Sequence, residues 1–202
     1  MNPYKLAVVS AGLSVPSSTR LLADRLTAGA ETALRERGAT ATADVVELRD
    51  HARALADNLL TGFPTGDLKA AVDAVAEADA VIAVTPIFNA SYSGLFKTFF
   101  DVLDADALTG TPVLMGATGG TARHSLALEH ALRPMFAYLR AAVVPTAVYA
   151  SSEDWGTGAE NDLTTRIARA AAELAATLTT TPPRTTDDPF TDPTPFTDLL
   201  GE

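Results

Sequence analysis

Ser17, Ser18 and Thr19 follow Pro16 in a row, and Ser10 and Gly12 stand just ahead of them in the stretch SAGLSVPSSTR, residues 10–20. Hydroxyl residues at the head of a helix bring side-chain oxygens and unpaired backbone N–H groups to one point, where the helix dipole adds partial positive charge. That combination suits a phosphate monoester, and Arg20 comes next in line to add a full charge. A plainer reading is that Ser17 or Ser18 caps the helix and does nothing else. The glycine, the proline and the hydroxyl cluster together exceed what a cap requires. Neither G-x-G-x-x-G nor G-x-x-x-x-G-K-[ST] occurs in this loop, so the common nucleotide-binding signatures fit poorly.

Two later stretches have a similar character. In TPIFNASYSG, residues 85–94, Pro86 ends a buried strand, and Asn89, Ala90 and Ser91 are small enough to let a flat ring lie against the backbone. Phe88 and Tyr92 offer ring contacts or plain packing, and Ser91 or Ser93 is placed to cap the next helix. In GATGGTARH, residues 116–124, Thr118 precedes Gly119 and Gly120, which allow close backbone approach to a ligand or a mobile turn. His124 opens the following helix, with a structural role and a role beside the ligand both open. One phosphate cradle and two backbone-rich loops describe a site for a phosphorylated planar heterocycle, and flavin mononucleotide (FMN) is the first candidate.

Such loops need a frame that brings them together. Apolar runs at Lys5–Ser10, Ala41–Leu48, 80–88, 111–120 and 141–150 read as strands, the third being continuous enough for the centre of a parallel sheet. Between them lie helical patterns over 21–37, 67–79, 93–104, 125–140 and 160–178, with a short extra helix available in ARALADNLL. Pro134 should kink the fourth of these, having no N–H to donate. Five β–α repeats predict an α/β three-layer sandwich around a five-stranded parallel sheet, with the flavodoxin-like strand order 2-1-3-4-5. In that order the switch point lies between strands one and three, and the three loops above gather at the carboxyl ends of the strands. Residues 1–179 form one domain in this reading; 180–202, rich in Thr, Pro and Asp, form a C-terminal tail expected to be flexible, with docking on a partner subunit as the alternative.

Composition narrows the partners. A net charge of −10 argues against nucleic acid, which needs clustered Lys and Arg. No run of apolar residues is long enough to span a membrane, and the N-terminus lacks the pattern of a signal peptide, so a cytoplasmic location is expected. With no cysteine, thiolate metal sites and cysteine nucleophiles are excluded. The three histidines, His51, His124 and His130, lack ligand-like spacing, and no metal site is expected.

The segments SAGLSVPSST, TPIFNASYSGLFKTFFDVLD and ATGGTARHSLALEHALRPMFAYLRA resemble the NADPH-dependent FMN reductase family, in particular the branch that partners luciferase-like monooxygenases. The resemblance runs from about Lys5 to Leu178. It implies a flavodoxin-like subunit in which Ser10, Ser17, Ser18 and Thr19 contact the FMN phosphate. Pro86, Ile87, Phe88 and Asn89 would lie along the ring, with Thr118, Gly119 and Gly120 at its pyrimidine edge. Many relatives carry Tyr where this chain has Phe88, so a hydroxyl contact is lost there. NADPH or NADH would pass hydride to flavin N5, with no catalytic side chain needed. Homodimers or homotetramers are implied, formed through the helices after strands three and four, where Phe96, Phe99 and Phe100 look like an aromatic surplus. A flavin-dependent monooxygenase would receive the reduced FMN. A quinone, azo or chromate reductase and a flavin-binding electron carrier stay open as alternatives, since both share these features.

Overall fold

The computed structural model describes residues 2–156 and 160–180. The tail expected from the sequence lies outside these residues, apart from Thr180, which ends the last helix. The strands are β1 (Tyr4–Ser10), β2 (Ala41–Glu47), β3 (Ala80–Phe88), β4 (Ser91–Tyr92), β5 (Pro112–Gly119), β6 (Ala142–Val143) and β7 (Val148–Ser151). The helices are α1 (Ser18–Glu36), α2 (Ala52–Thr61), α3 (Asp67–Ala76), α4 (Gly94–Asp101), α5 (Arg133–Tyr138) and α6 (Glu160–Thr180). Hydrogen bonding orders the sheet β2-β1-β3-β5-β6, with β7 also pairing β5. All of these pairings are parallel. With β6 and β7 together filling the fifth place, this is the flavodoxin-like order 2-1-3-4-5.

Each face of the sheet is sealed by its own chemistry. On one side α1 and α6 pack with small residues; a Cβ on Gly29 would come within 3.0 Å of Ile167, so the glycine sets how closely the two helices approach. On the other side α2 to α5 close over a larger aromatic core, where Phe100 packs tilted against Phe96 and edge-to-face against Phe136, 4.8 Å and 5.0 Å between ring centroids. Burying each such ring contributes roughly 1.5–3 kcal/mol. Phe96, Phe99 and Phe100 are therefore core residues of a single subunit, and the surplus read from the sequence is spent inside it. Tyr138, by contrast, is 87% exposed on the same helical layer.

Proline accounts for two of the places where the elements differ from the sequence reading. The expected fifth strand is broken at Pro145, which cannot donate to the ladder, into the short β6 and β7. Arg133 fastens the break by donating to the carbonyls of Val144 (3.2 Å) and Pro145 (2.9 Å). The expected fourth helix is disturbed at Pro134 and its helical part is shorter than the sequence pattern, Ala127 to Tyr138. Pro134 has no N–H for the carbonyl four residues back, so Leu128–Leu132 winds as a wider π-type segment that runs directly into α5, with the proline in the first turn of α5. A further strand, β4, folds back antiparallel on the end of β3.

Candidate functional site

Above the carboxyl ends of β1, β3 and β5 lies a cleft of about 410 Å³, within the usual range for small-molecule sites. Ser17, Ser18, Thr19, Pro86, Ile87, Phe88, Thr118, Gly119 and Gly120 line it, so three segments far apart in the chain meet there as expected. Leu13, Ser14, Ser152 and Trp155 complete the lining and carried no signal in the sequence. Four expected residues lie elsewhere. Ser10 and Gly12 are buried beneath the first loop, Asn89 occupies a turn, and His124 is exposed beyond Gly120.

The first wall follows the grammar of a helix start. Ser17 is the N-cap of α1, its hydroxyl accepting from the Arg20 N–H at 3.2 Å, while the Leu21 N–H donates to the Ser17 carbonyl. The N–H groups of Ser18 and Thr19 are left at the open end of the dipole. Gly12 serves this cap. A Cβ there would sit 2.0 Å from the Ser17 hydroxyl, so the glycine gives room to a neighbour rather than supplying an unusual turn. Arg20 is drawn away. It binds Asp24 (2.7 Å) and Glu47 (2.6 Å), and the Asp24 hydrogen bond, outweighing the cost of burial, raises its already high pKa. Arg49 pairs with Glu47 at 3.1 Å and donates to the Ser14 carbonyl at 3.2 Å, bracing the loop from β2.

The second wall is the end of β3. Thr85 accepts from the Ser93 N–H (3.1 Å), and Ser93 caps α4 by accepting from Phe96 N–H (3.2 Å). Between them Asn89 and Ala90 take positive φ of 50° and 68°, the pair of left-handed residues that a tight β3–β4 hairpin demands. The residue type at 89 answers that turn, since Asn tolerates positive φ well.

The third wall joins β5 to β7. The Thr118 and Thr19 hydroxyls lie 2.8 Å apart, both buried, tying the head of α1 to the tip of β5. Tyr149 donates to the Thr121 carbonyl at 2.8 Å, passing so close beneath Gly119 that a Cβ there would meet its oxygen at 2.1 Å. Burial, helped by the nearby Asp154, raises the Tyr149 pKa and keeps the phenol a donor. Beyond β7, Asp154 accepts from both the Ser151 N–H and hydroxyl (2.7 Å each) and pairs with Arg166, which also donates to the Tyr149 carbonyl. Burial works against the Asp154 carboxylate, but the bonds from Ser151 and Arg166 prevail and lower its pKa. Trp155, at the end of this held turn, has the Arg25 guanidinium carbon 5.2 Å from its ring centroid.

FMN fits the residues present. The free amides at the head of α1 suit a phosphate in a region whose nearest arginine is neutralised, and the buried Ser10 hydroxyl just below finds no acceptor or donor among the described residues. Gly120 has open space around it, so a planar ring can approach its backbone. Among the described residues no cluster of His, Cys, Asp and Glu is arranged for a metal ion.

Residues 4–156 match the model of the NADPH-dependent FMN reductase family. This chain belongs to that family. It is 40% identical over 181 residues to the FMN reductase (NADPH) of Pseudomonas aeruginosa, covering 88% of this chain and 93% of that protein. To the NADH-dependent FMN reductase SfnF of Pseudomonas fluorescens it is 36% identical over 174 residues, 86% of this chain and 89% of the relative. An oxidoreductase from Corynebacterium diphtheriae superposes with a TM-score of 0.87 at 44% identity, covering 90% of this chain and all of that one. The reductase is thus an NAD(P)H:FMN oxidoreductase on a flavodoxin-like fold, with FMN and a nicotinamide nucleotide as its cofactors.

Proposed function

We propose that the cleft above β1, β3 and β5 is where FMN is held and reduced, and that the reduced flavin is handed to a flavin-dependent monooxygenase. The carrying observation is the meeting of free α1 amides with the tips of β3 and β5 around one cleft. Bound there, the flavin supplies an acceptor for hydride from a stacked nicotinamide. The Ser18 and Thr19 amides, with the Ser17 and Ser18 hydroxyls, bind the phosphate. Pro86, Ile87 and Phe88 bear one side of the ring, and the Thr118–Gly120 backbone offers donors toward the pyrimidine edge, where negative charge grows on reduction. The relatives named above split between NADPH and NADH, and both coenzymes are admitted here.

No helix among the described residues is long and apolar enough to cross a membrane. The exposed Tyr138, beside Met135 and Leu139 on a hollow between α4 and α5, supports a homodimer or homotetramer formed through that layer. Residues 1–179 act as the single FMN-binding domain in this reading.

Ser18→Asp tests the assignment directly. It places a carboxylate on an exposed side chain beside the proposed phosphate and should weaken FMN by about tenfold or more while leaving riboflavin within a few-fold. Titration of flavin fluorescence reads both; equal FMN affinity in variant and parent would remove the phosphate from this end of the cleft.

A further inference from the structure

Trp155 lines the cleft on the side of α1, while Arg25, whose guanidinium lies against its ring at 5.2 Å, lines a different space. That second space is a groove of about 550 Å³ between α1 and α6, walled by small residues such as Ala28, Gly29 and Ala168. The Trp155–Arg25 pair thus has one member on each hollow. Its position follows from the chain: Trp155 ends the turn after β7 that Asp154 and Arg166 hold, and Arg25 is on the second turn of α1, just past the proposed phosphate amides.

We propose that Trp155, braced by Arg25, is a specificity-determining residue that closes the phosphate end of the cleft and selects flavin mononucleotide over flavin dinucleotides. The inference rests on the phosphate lying at the head of α1. A monoester ends there. A diphosphate must continue outward, and its adenylate meets the indole ring before it can reach the groove behind. Shrinking the ring opens a way toward that groove, whose walls are largely apolar, with Arg25, Thr32, Glu36 and Thr164 as polar members. Half-burial of Trp155 against the α1–α6 core keeps the ring in place, so the barrier is standing rather than formed on binding.

The test compares FMN, FAD and riboflavin on the parent, Trp155→Ala, Trp155→Leu and Trp155→Phe, by direct titration and by NAD(P)H-driven turnover. Trp155→Leu retains apolar packing against α1 and α6 should the alanine variant fold poorly. The alanine and leucine variants should lower the ratio of the FAD to the FMN dissociation constant by about tenfold or more, and raise relative kcat/KM for FAD in parallel. Trp155→Phe should keep the ratio within about threefold of the parent, and riboflavin, which has no phosphate, should hardly respond. An unchanged FAD to FMN ratio in both the alanine and leucine variants overturns the proposal. Ser18→Asp separates the two ideas. If it weakens FMN while the ratio stays fixed, only the gate is wrong; if it leaves FMN untouched, the phosphate assignment beneath the gate has failed.

Discussion

The two flanks of the cleft are built in opposite ways. On the α1 side, Gly12, Ser17, Ser18 and Thr19 are neighbours in the chain, and their geometry is the ordinary start of a helix. On the β7 side, Gly119, Tyr149, the Asp154–Trp155 turn and Arg166 come from separate elements and are held by hydrogen bonds that cross between them. The first flank is shaped by local rules, and each residue there depends mainly on the next. The second is a network, in which Gly119 and Trp155 face the cleft and are held by side chains that do not line it.

Breaking the network at its tightest point should do most. Gly119→Ala drives a methyl into the Tyr149 hydroxyl and should cost about 2–3 kcal/mol by urea denaturation. Tyr149→Phe removes the colliding oxygen, so adding it to Gly119→Ala should recover part of that loss, although alone it forfeits the bond to Thr121 and destabilises by about 1 kcal/mol. A purely additive double variant would mean that the two residues do not share one constraint.

Arg166→Met comes next. It frees Asp154 and the Tyr149 carbonyl together and should cost about 1–2 kcal/mol while raising the KM for FMN, although Arg166 does not line the cleft. Unchanged KM with lowered stability would separate the flank from the site. The smallest effect is one of pH. Asp154 has a lowered native pKa, so its contribution is fully present above the unfolded carboxylate value of about 3.9 and is lost as pH falls through the depressed native one. The stability gap between parent and Asp154→Asn should therefore be steady from pH 5 to 8 and narrow below about pH 4.

The same contrast explains what could be read from the chain. Ser17 and Ser93 announce their helices because a cap is a relation between residues three apart, and β1, β3 and β5 are continuous apolar runs. The nine cleft residues found in advance all stand at the ends of such elements. Ser152 and Trp155 were missed because nothing near them in sequence says that Asp154 will meet Arg166 across the sheet edge. The β4 hairpin was missed for another reason: Ala90 adopts a φ of 68° without the glycine that would have advertised it. Gly12 and Gly119 stand out in the sequence, but their purpose does not, since the atoms they make room for belong to Ser17 and Tyr149.

The hydroxyl pair joining Thr19 to Thr118 has a dynamic consequence. It ties the first turn of one helix to the tip of a sheet strand, and so favours one arrangement of the corner between them. A molecule straddling that corner finds its contacts already in register, and arrival should follow a single fast phase, with no slower rearrangement trailing behind it.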